Sequence, residues 1–289
     1  MTIYVKHSEG NMTILSSVIL GIIQGLAEFL PISSSGHLVI FKTFLPGLEK
    51  LSGDMTFDIL LHLGTLIAVF AVYRKTIAGM VVEFFRMLGQ IFTGKFKFRK
   101  ANKYQIMDIF VIIATLPLVL VVFVNDTIES KMTGLLPVGI MLLVTAGLLF
   151  IADHSVQGKK EIRDMTPFQA LKIGLFQMIA TLPGLSRSGS TIAAGINMGF
   201  TRETAVEFPF ILGIPAVIGA NILNIKDIVN SGIDSTLILP YIIGIVTAAV
   251  FGFLAVKLVQ YVTRKDRFGW FVYYCAIVGT GSIVMSFIY

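Results

Sequence analysis

Glu28, Ser33, Ser34, Ser35, His37 and Arg187 are the side chains best suited to chemistry, and all of them interrupt apolar sequence. Gln24 and Glu28 stand at i,i+4 on one helical face, and Ser34 and His37 share a face at i,i+3 in the helical start that follows. A hydroxyl, an imidazole and a carboxylate in one short segment are the makings of nucleophilic and general acid–base catalysis. A second segment, Pro183-Gly184-Leu185-Ser186-Arg187-Ser188-Gly189-Ser190-Thr191, is suited to holding an anion. Gly184 and Gly189 let the backbone approach closely, and a new helix offers free N–H groups. The hydroxyls of Ser186, Ser188 and Thr191 can donate, and the Arg187 guanidinium matches phosphate oxygens two at a time. No lysine-bearing phosphate loop accompanies them, which argues against a nucleotide ligand.

Each residue also has a plainer reading. Glu28 and Arg187 could be a structural ion pair, needed because a charge at the centre of a bilayer costs about 2.5–3.5 kcal/mol. An ion pair alone needs no cluster of hydroxyls, so a site for a charged headgroup is the better reading. Three serines before an apolar run are also how an ordinary helix begins, and for Ser33 and Ser35 capping and catalysis weigh equally. Asp58 and His62, one turn apart, either support the site or bridge helices, with bridging slightly favoured.

The elements that must position these residues are membrane helices. Of 289 residues, 55% are hydrophobic and 14% charged, against about 25% charged in soluble domains, and mean hydropathy is +0.84. Runs at 55–74, 104–124, 134–152, 203–223, 237–258 and 268–288 are each apolar enough to cross a bilayer. The chemistry-bearing segments, near 13–44 and 168–200, differ: each is an apolar half, a Pro/Ser/Gly break and a second apolar half. Neither half reaches about 20 residues, so each pair reads as a hairpin that enters and leaves on one side. The hairpins are also copies of each other. Gly21 and Gly174, Gln24 and Gln177, Pro31 and Pro183, Ser33 and Ser186, Ser35 and Ser188, and Gly36 and Gly189 correspond, with a one-residue slip near Gly184.

Three spans separate the hairpins, an odd number, so they enter from opposite faces. The expected fold is therefore all-α and polytopic, with six transmembrane helices and two re-entrant hairpins in an inverted-topology repeat. It forms one transmembrane domain over 1–289, with halves at about 13–152 and 168–288. In such a repeat the hairpin tips meet at the midplane, and Ser34 faces its counterpart Arg187.

Charge sets the orientation. The segment after the first span carries Arg74, Lys75, Arg86, Lys95, Lys97, Arg99, Lys100 and Lys103 against Glu83, and further cations gather on the same face. The other face holds Lys6, Lys42, Lys50, Lys131 and Lys226. The basic face is then cytoplasmic and both termini external. The same topology explains the net charge of +6 without nucleic acid as a partner. Residues 77–92, with Glu83 and Arg86 at i,i+3, read as an interfacial amphipathic helix or a buried cap. Cys275 has no partner for an intrachain disulfide, and cleavage of the N-terminal segment as a signal peptide is not expected.

At Gln24–Glu28 with Pro31–His37, and at Pro183–Thr191, the chain resembles the undecaprenyl-diphosphatase family, the bacitracin-resistance phosphatases. The resemblance implies a multi-pass enzyme of the bacterial inner membrane that removes the terminal phosphate of undecaprenyl diphosphate and so recycles the lipid carrier of cell-wall synthesis. It implies a divalent cation, Mg²⁺ or Ca²⁺, at Glu28, with Gln24 a neutral helper because glutamine occupies a position where glutamate also occurs. Ser34 is the expected nucleophile. Glu28 and His37 would manage proton and metal. Arg187, Ser186, Ser188 and Thr191 would stabilise the phosphate oxygens, with Ser33, Ser35, Gly184 and Gly189 lining the cradle. His37 as nucleophile and metal-activated water stay open, as does a homodimer.

Two other classes compete. A polyprenyl-phosphate flippase could use the same inverted-repeat architecture. The type 2 phosphatidic-acid phosphatases share echoes at Ser35-Gly36-His37 and Ser186-Arg187. Their downstream histidine is missing, because Ala193 stands seven after Ser186 and no histidine follows His154.

Overall fold

The computed structural model describes residues 13–44, 55–121, 123, 132, 134–231, 235–265 and 268–288. Within them every long element is a helix: α1 Ile14–Phe29, α2 Ser34–Phe44, α3 Met55–Phe92, α4 Lys103–Thr115, α5 Leu118–Val121, α6 Leu135–Asp153, α7 Pro167–Ile179, α8 Arg187–Asn197, α9 Arg202–Ser231, α10 Ile238–Arg264 and α11 Gly269–Met285. Local chemistry sets the starts. Capping boxes open α1 (Thr13 with Ser16), α4 (Asn102 with Gln105) and α7 (Thr166 with Gln169, then Pro167).

Among the described residues five segments are long and apolar enough to cross a membrane: Thr56–Phe92, Lys103–Val121, Leu135–Asp153, Arg202–Ile222 and Ser235–Arg264. The sixth expected span forms α11, an apolar helix of 17 residues. The run at 104–124 is broken into α4 and α5 at Pro117, which has no N–H to continue the ladder. Residues 77–92 are helical as expected and follow the first span across a kink at the non-helical Tyr73 (φ −101°, ψ 20°), both parts lying within α3. There Glu83 is buried, pairs with Arg86 and accepts from Gln105 Nε2 of α4 at 3.1 Å.

The two segments of broken apolar sequence fold as expected into short helices joined by a non-helical tip. α1 and α2 have 16 and 11 residues, and α7 and α8 have 13 and 11. α1 packs on α10 and α7 packs on α4; α3 packs on α10 and α9 on α4; α6 packs on α11, and α3 on α9. These six pairings are unchanged when α1, α3, α4 and α6 exchange with α7, α9, α10 and α11. Small residues make the hairpin seats. A Cβ on Gly25 would lie 2.7 Å from the Ala248 carbonyl of α10, and one on Gly174 would lie 2.2 Å from the Ala114 carbonyl of α4. Alanine at either position would push a hairpin off its support.

Candidate functional site

Both hairpins bring their breaks to one place. Pro31 follows α1, and the chain turns through Ser33 with φ +71°, a left-handed conformation that is costly for any residue with a Cβ. The turn is held by its own cap. Ser33 Oγ accepts from the Gly36 N–H at 3.1 Å and its carbonyl accepts from the His37 N–H at 3.2 Å, which starts α2. In the other hairpin Ser186 Oγ caps α8 by accepting from the Gly189 N–H at 3.1 Å, and the Ser186 N–H is held by Thr145 Oγ1 of α6 at 3.1 Å. Gly184 has φ +90°, and a Cβ there would strike the α6 backbone at Val138, at 2.8 Å.

The tips then bond to each other. The Gly184 N–H donates to Ser35 Oγ at 3.2 Å, and the Ser188 hydroxyl donates to the Leu30 carbonyl at 3.1 Å. At the centre lies Glu28, whose side chain is 5% exposed. Its Oε1 pairs with Arg187 Nη2. Its Oε2 accepts from the Ser34 hydroxyl at 2.9 Å and from Gln24 Nε2 at 3.1 Å. His62 Nε2 of α3 stands 3.9 Å from the same oxygen, with its Nδ1–H given to the Asp58 carbonyl at 2.8 Å. His62 therefore belongs beside the site, while Glu207 is bound at the other end of the α3/α9 pair by Thr76 (2.8 Å) and Lys103 (3.2 Å).

His37 is turned elsewhere. Its Nδ1 lies 2.7 Å from the Ser33 carbonyl, which can only accept, so the proton is on Nδ1. Its Nε2 then accepts from the Tyr274 hydroxyl of α11 at 2.6 Å, with the two rings stacked at 5.6 Å. Both nitrogens are occupied, and neither is bonded to Ser34. Thr191 likewise gives its hydroxyl to the Arg187 carbonyl at 2.8 Å.

A narrow cleft opens beside Glu28, Arg187, Ser188 and Thr191. The rest of its lining is mostly apolar, with Phe29, Leu66, Val69, Phe210 and Val217. A charged head could meet the polar end while a hydrocarbon chain followed the wall. The arrangement offers a hydroxyl already bonded to a carboxylate, a guanidinium within reach of the same point, and two helix starts.

Tyr274 and Thr145 are the site partners that motif spacing did not single out, while His62, read as supporting the site or bridging helices, stands beside Glu28. Tyr274 lies 237 positions from His37, in a span where a tyrosine reads as an ordinary interfacial aromatic. The duplicated half lacks the charge. Thr181 stands where the first half has Glu28, and both amide atoms of buried Gln177, the counterpart of Gln24, have no partner among the described residues. The two copies are thus unequal: the first supplies the carboxylate and the second the guanidinium.

A family model described as bacitracin resistance protein BacA matches residues 17–281. A protein named undecaprenyl-diphosphatase from Methanosphaera stadtmanae is 38% identical over 279 residues, covering 95% of this chain and 99% of that protein. Proteins of the same name from Alkaliphilus metalliredigens (38% over 276 residues, 95% and 99% covered) and Methanobrevibacter smithii (39% over 283 residues, 96% and 100% covered) are similarly related.

Proposed function

The chain belongs to the BacA bacitracin resistance family, and on that footing we propose how its hairpins carry out the family's reaction. It is a multi-pass membrane phosphatase that hydrolyses undecaprenyl diphosphate to undecaprenyl phosphate and inorganic phosphate, recycling the lipid carrier of cell-wall synthesis. The observation that carries the mechanism is the convergence of Ser34 and Arg187, from different hairpins, on the single carboxylate of Glu28.

The two hairpins are re-entrant, inserted from opposite faces, with the basic face cytoplasmic and both termini external in a bacterial inner membrane. The diphosphate enters the cleft with its prenyl chain along Phe29, Leu66 and Val69. Arg187 leaves Glu28 to bind the terminal phosphate, which offers its planar fork a better-matched partner. Ser34 Oγ attacks the terminal phosphorus while its proton passes to Glu28 Oε2, the acceptor it already touches. A Ser34 O–P bond forms, the bridging P–O bond breaks, and undecaprenyl phosphate departs. Water then cleaves the phosphoserine, releasing inorganic phosphate and restoring the Ser34 proton. Arg187 and the first-turn amides of α8 stabilise the equatorial oxygens in both steps. Ser33, Ser35, Ser186 and Ser188 hold the tips in register through the bonds described above, and Gly184 and Gly189 allow the close approach.

The donor set suits a hard divalent cation. Glu28 contributes a carboxylate, and Gln24, whose Nε2 donates to Glu28 Oε2, would offer its carboxamide oxygen once turned over. The described residues contain no cage of three His, Cys, Asp or Glu. Mg²⁺ in particular is commonly held by one or two carboxylates plus substrate phosphates and water. Glu28 with Gln24 would hold Mg²⁺ or Ca²⁺, which when bound neutralises charge on the diphosphate. Purified protein should release phosphate from undecaprenyl diphosphate, lose that activity with a chelator, and regain it with added Mg²⁺. Absence of release under every condition would sink the enzyme reading, and full release with chelator would sink the metal.

Tyr274 is assigned as a positioning residue. It holds His37, which in turn holds the carbonyl of the strained Ser33 turn next to the nucleophile. Tyr274→Phe keeps the ring and removes one hydrogen bond, so kcat should fall about five- to tenfold. KM should hold, so that the loss falls on kcat. An unchanged kcat would leave Tyr274 with packing alone.

A further inference from the structure

On the basic face, α3 and α10 pack side by side and form an open groove. Arg74 and Lys75 line it from just beyond the turn at Tyr73, and Lys257 lines it from α10, together with Thr76 and Phe253. No carboxylate is in that lining. Nearby cations are matched differently: Lys103 pairs with Glu207 at 3.2 Å and Arg264 with Glu203 at 2.9 Å. The Thr76 hydroxyl is spent on Glu207, and the lining itself carries three cations and no carboxylate.

What lies along the helices beside these cations narrows the ligand. Val246, Val250 and Phe253 precede Lys257 on one face of α10, and Ile67 and Phe70 stand on α3 before the kink at Tyr73. All five apolar side chains are exposed. A cationic rim at the end of an exposed apolar strip fits an amphiphile with an anionic head. We propose that this groove binds the phosphate headgroup of an anionic membrane phospholipid, held by Arg74, Lys75 and Lys257 with its chains along the Ile67/Phe70 and Val246/Val250 strip. Free phosphate shares the headgroup chemistry and gains nothing from the strip. The groove has no lining residue in common with the hydrolytic cleft, so occupancy here and turnover there are separable.

Native mass spectrometry of the purified full chain in neutral detergent, titrated with phosphatidylglycerol, reads the proposal directly. Wild type should retain phosphatidylglycerol in preference to phosphatidylcholine. Lys257→Gln should weaken retention about fivefold, and Arg74→Gln with Lys75→Gln about 25-fold, at roughly fivefold per surface cation. Both variants should hydrolyse undecaprenyl diphosphate at the wild-type rate in that detergent, which also shows that they are folded. Lys159→Gln, exposed on the same face outside the groove, should bind as wild type does. Unchanged retention in the groove variants, or an equal loss in Lys159→Gln, overturns the proposal in favour of a diffuse basic face. Displacement by sodium phosphate at equal concentration overturns the lipid assignment in favour of a free-phosphate site.

Discussion

Purified Ser34→Ala protein is expected to release phosphate from undecaprenyl diphosphate at least ~10³-fold more slowly than wild type, a loss typical of removing a nucleophile. Its thermal midpoint should move little, because the change forfeits one hydrogen bond of about 1 kcal/mol and Glu28 keeps Arg187 and Gln24. The geometry behind this is the 2.9 Å bond from Ser34 Oγ to Glu28 Oε2, a hydroxyl already aligned with its proton acceptor. Neither His37 nitrogen is available in the same way, since Ser33 and Tyr274 occupy them. His37→Ala should accordingly retain more activity than Ser34→Ala. Phosphate release near wild type from Ser34→Ala would return the attack to His37 or to water.

The second large effect separates catalysis from stability. Glu28 and Arg187 form a largely buried pair, with side chains 5% and 30% exposed. Removing one partner strands the other charge, at a cost of about 3–5 kcal/mol for buried pairs. Arg187→Gln and Glu28→Gln should each lower the thermal midpoint, and the double variant should be more stable than the sum of the single losses allows. Activity should show no such recovery: all three proteins should sit at background phosphate release, because the carboxylate and the guanidinium are each needed with substrate bound. Additive destabilisation would contradict the pairing, and a double variant that turns over would contradict its part in catalysis.

The two broken segments and their meeting point were legible because polar residues in apolar sequence are expensive. Glu28, Arg187 and six serines stand at two helix breaks that correspond at several positions, and a duplicated break needs a partner to satisfy its backbone. The juxtaposition of Ser34 with Arg187 followed from the repeat alone, and Glu28 is the atom-level link between them. Other features were hidden for physical reasons. Pro117 was in plain view, but a long apolar run masks a local stop, and the helix there divides into α4 and α5. The helix beyond the kink at Tyr73 was legible, but its seat was not: Glu83 is buried against Gln105 of α4, a tertiary contact that the charge pattern of the segment does not reveal. His37 misled most. One turn from Ser34 its imidazole looks like a base, but two partners, one of them on α11, decide where the ring points. Residue type and spacing identify who can react; orientation comes from contacts far away in the chain.

Hydrogen–deuterium exchange of the purified chain with and without a non-hydrolysable methylene-bridged analogue of undecaprenyl diphosphate tests the shared grip most directly. Amides of Leu30–His37 and of Pro183–Thr191 should gain protection together, with the same dependence on analogue concentration, and Arg187→Gln should weaken both. Protection confined to one hairpin, with the other exchanging as in the free protein, would contradict a diphosphate held between them.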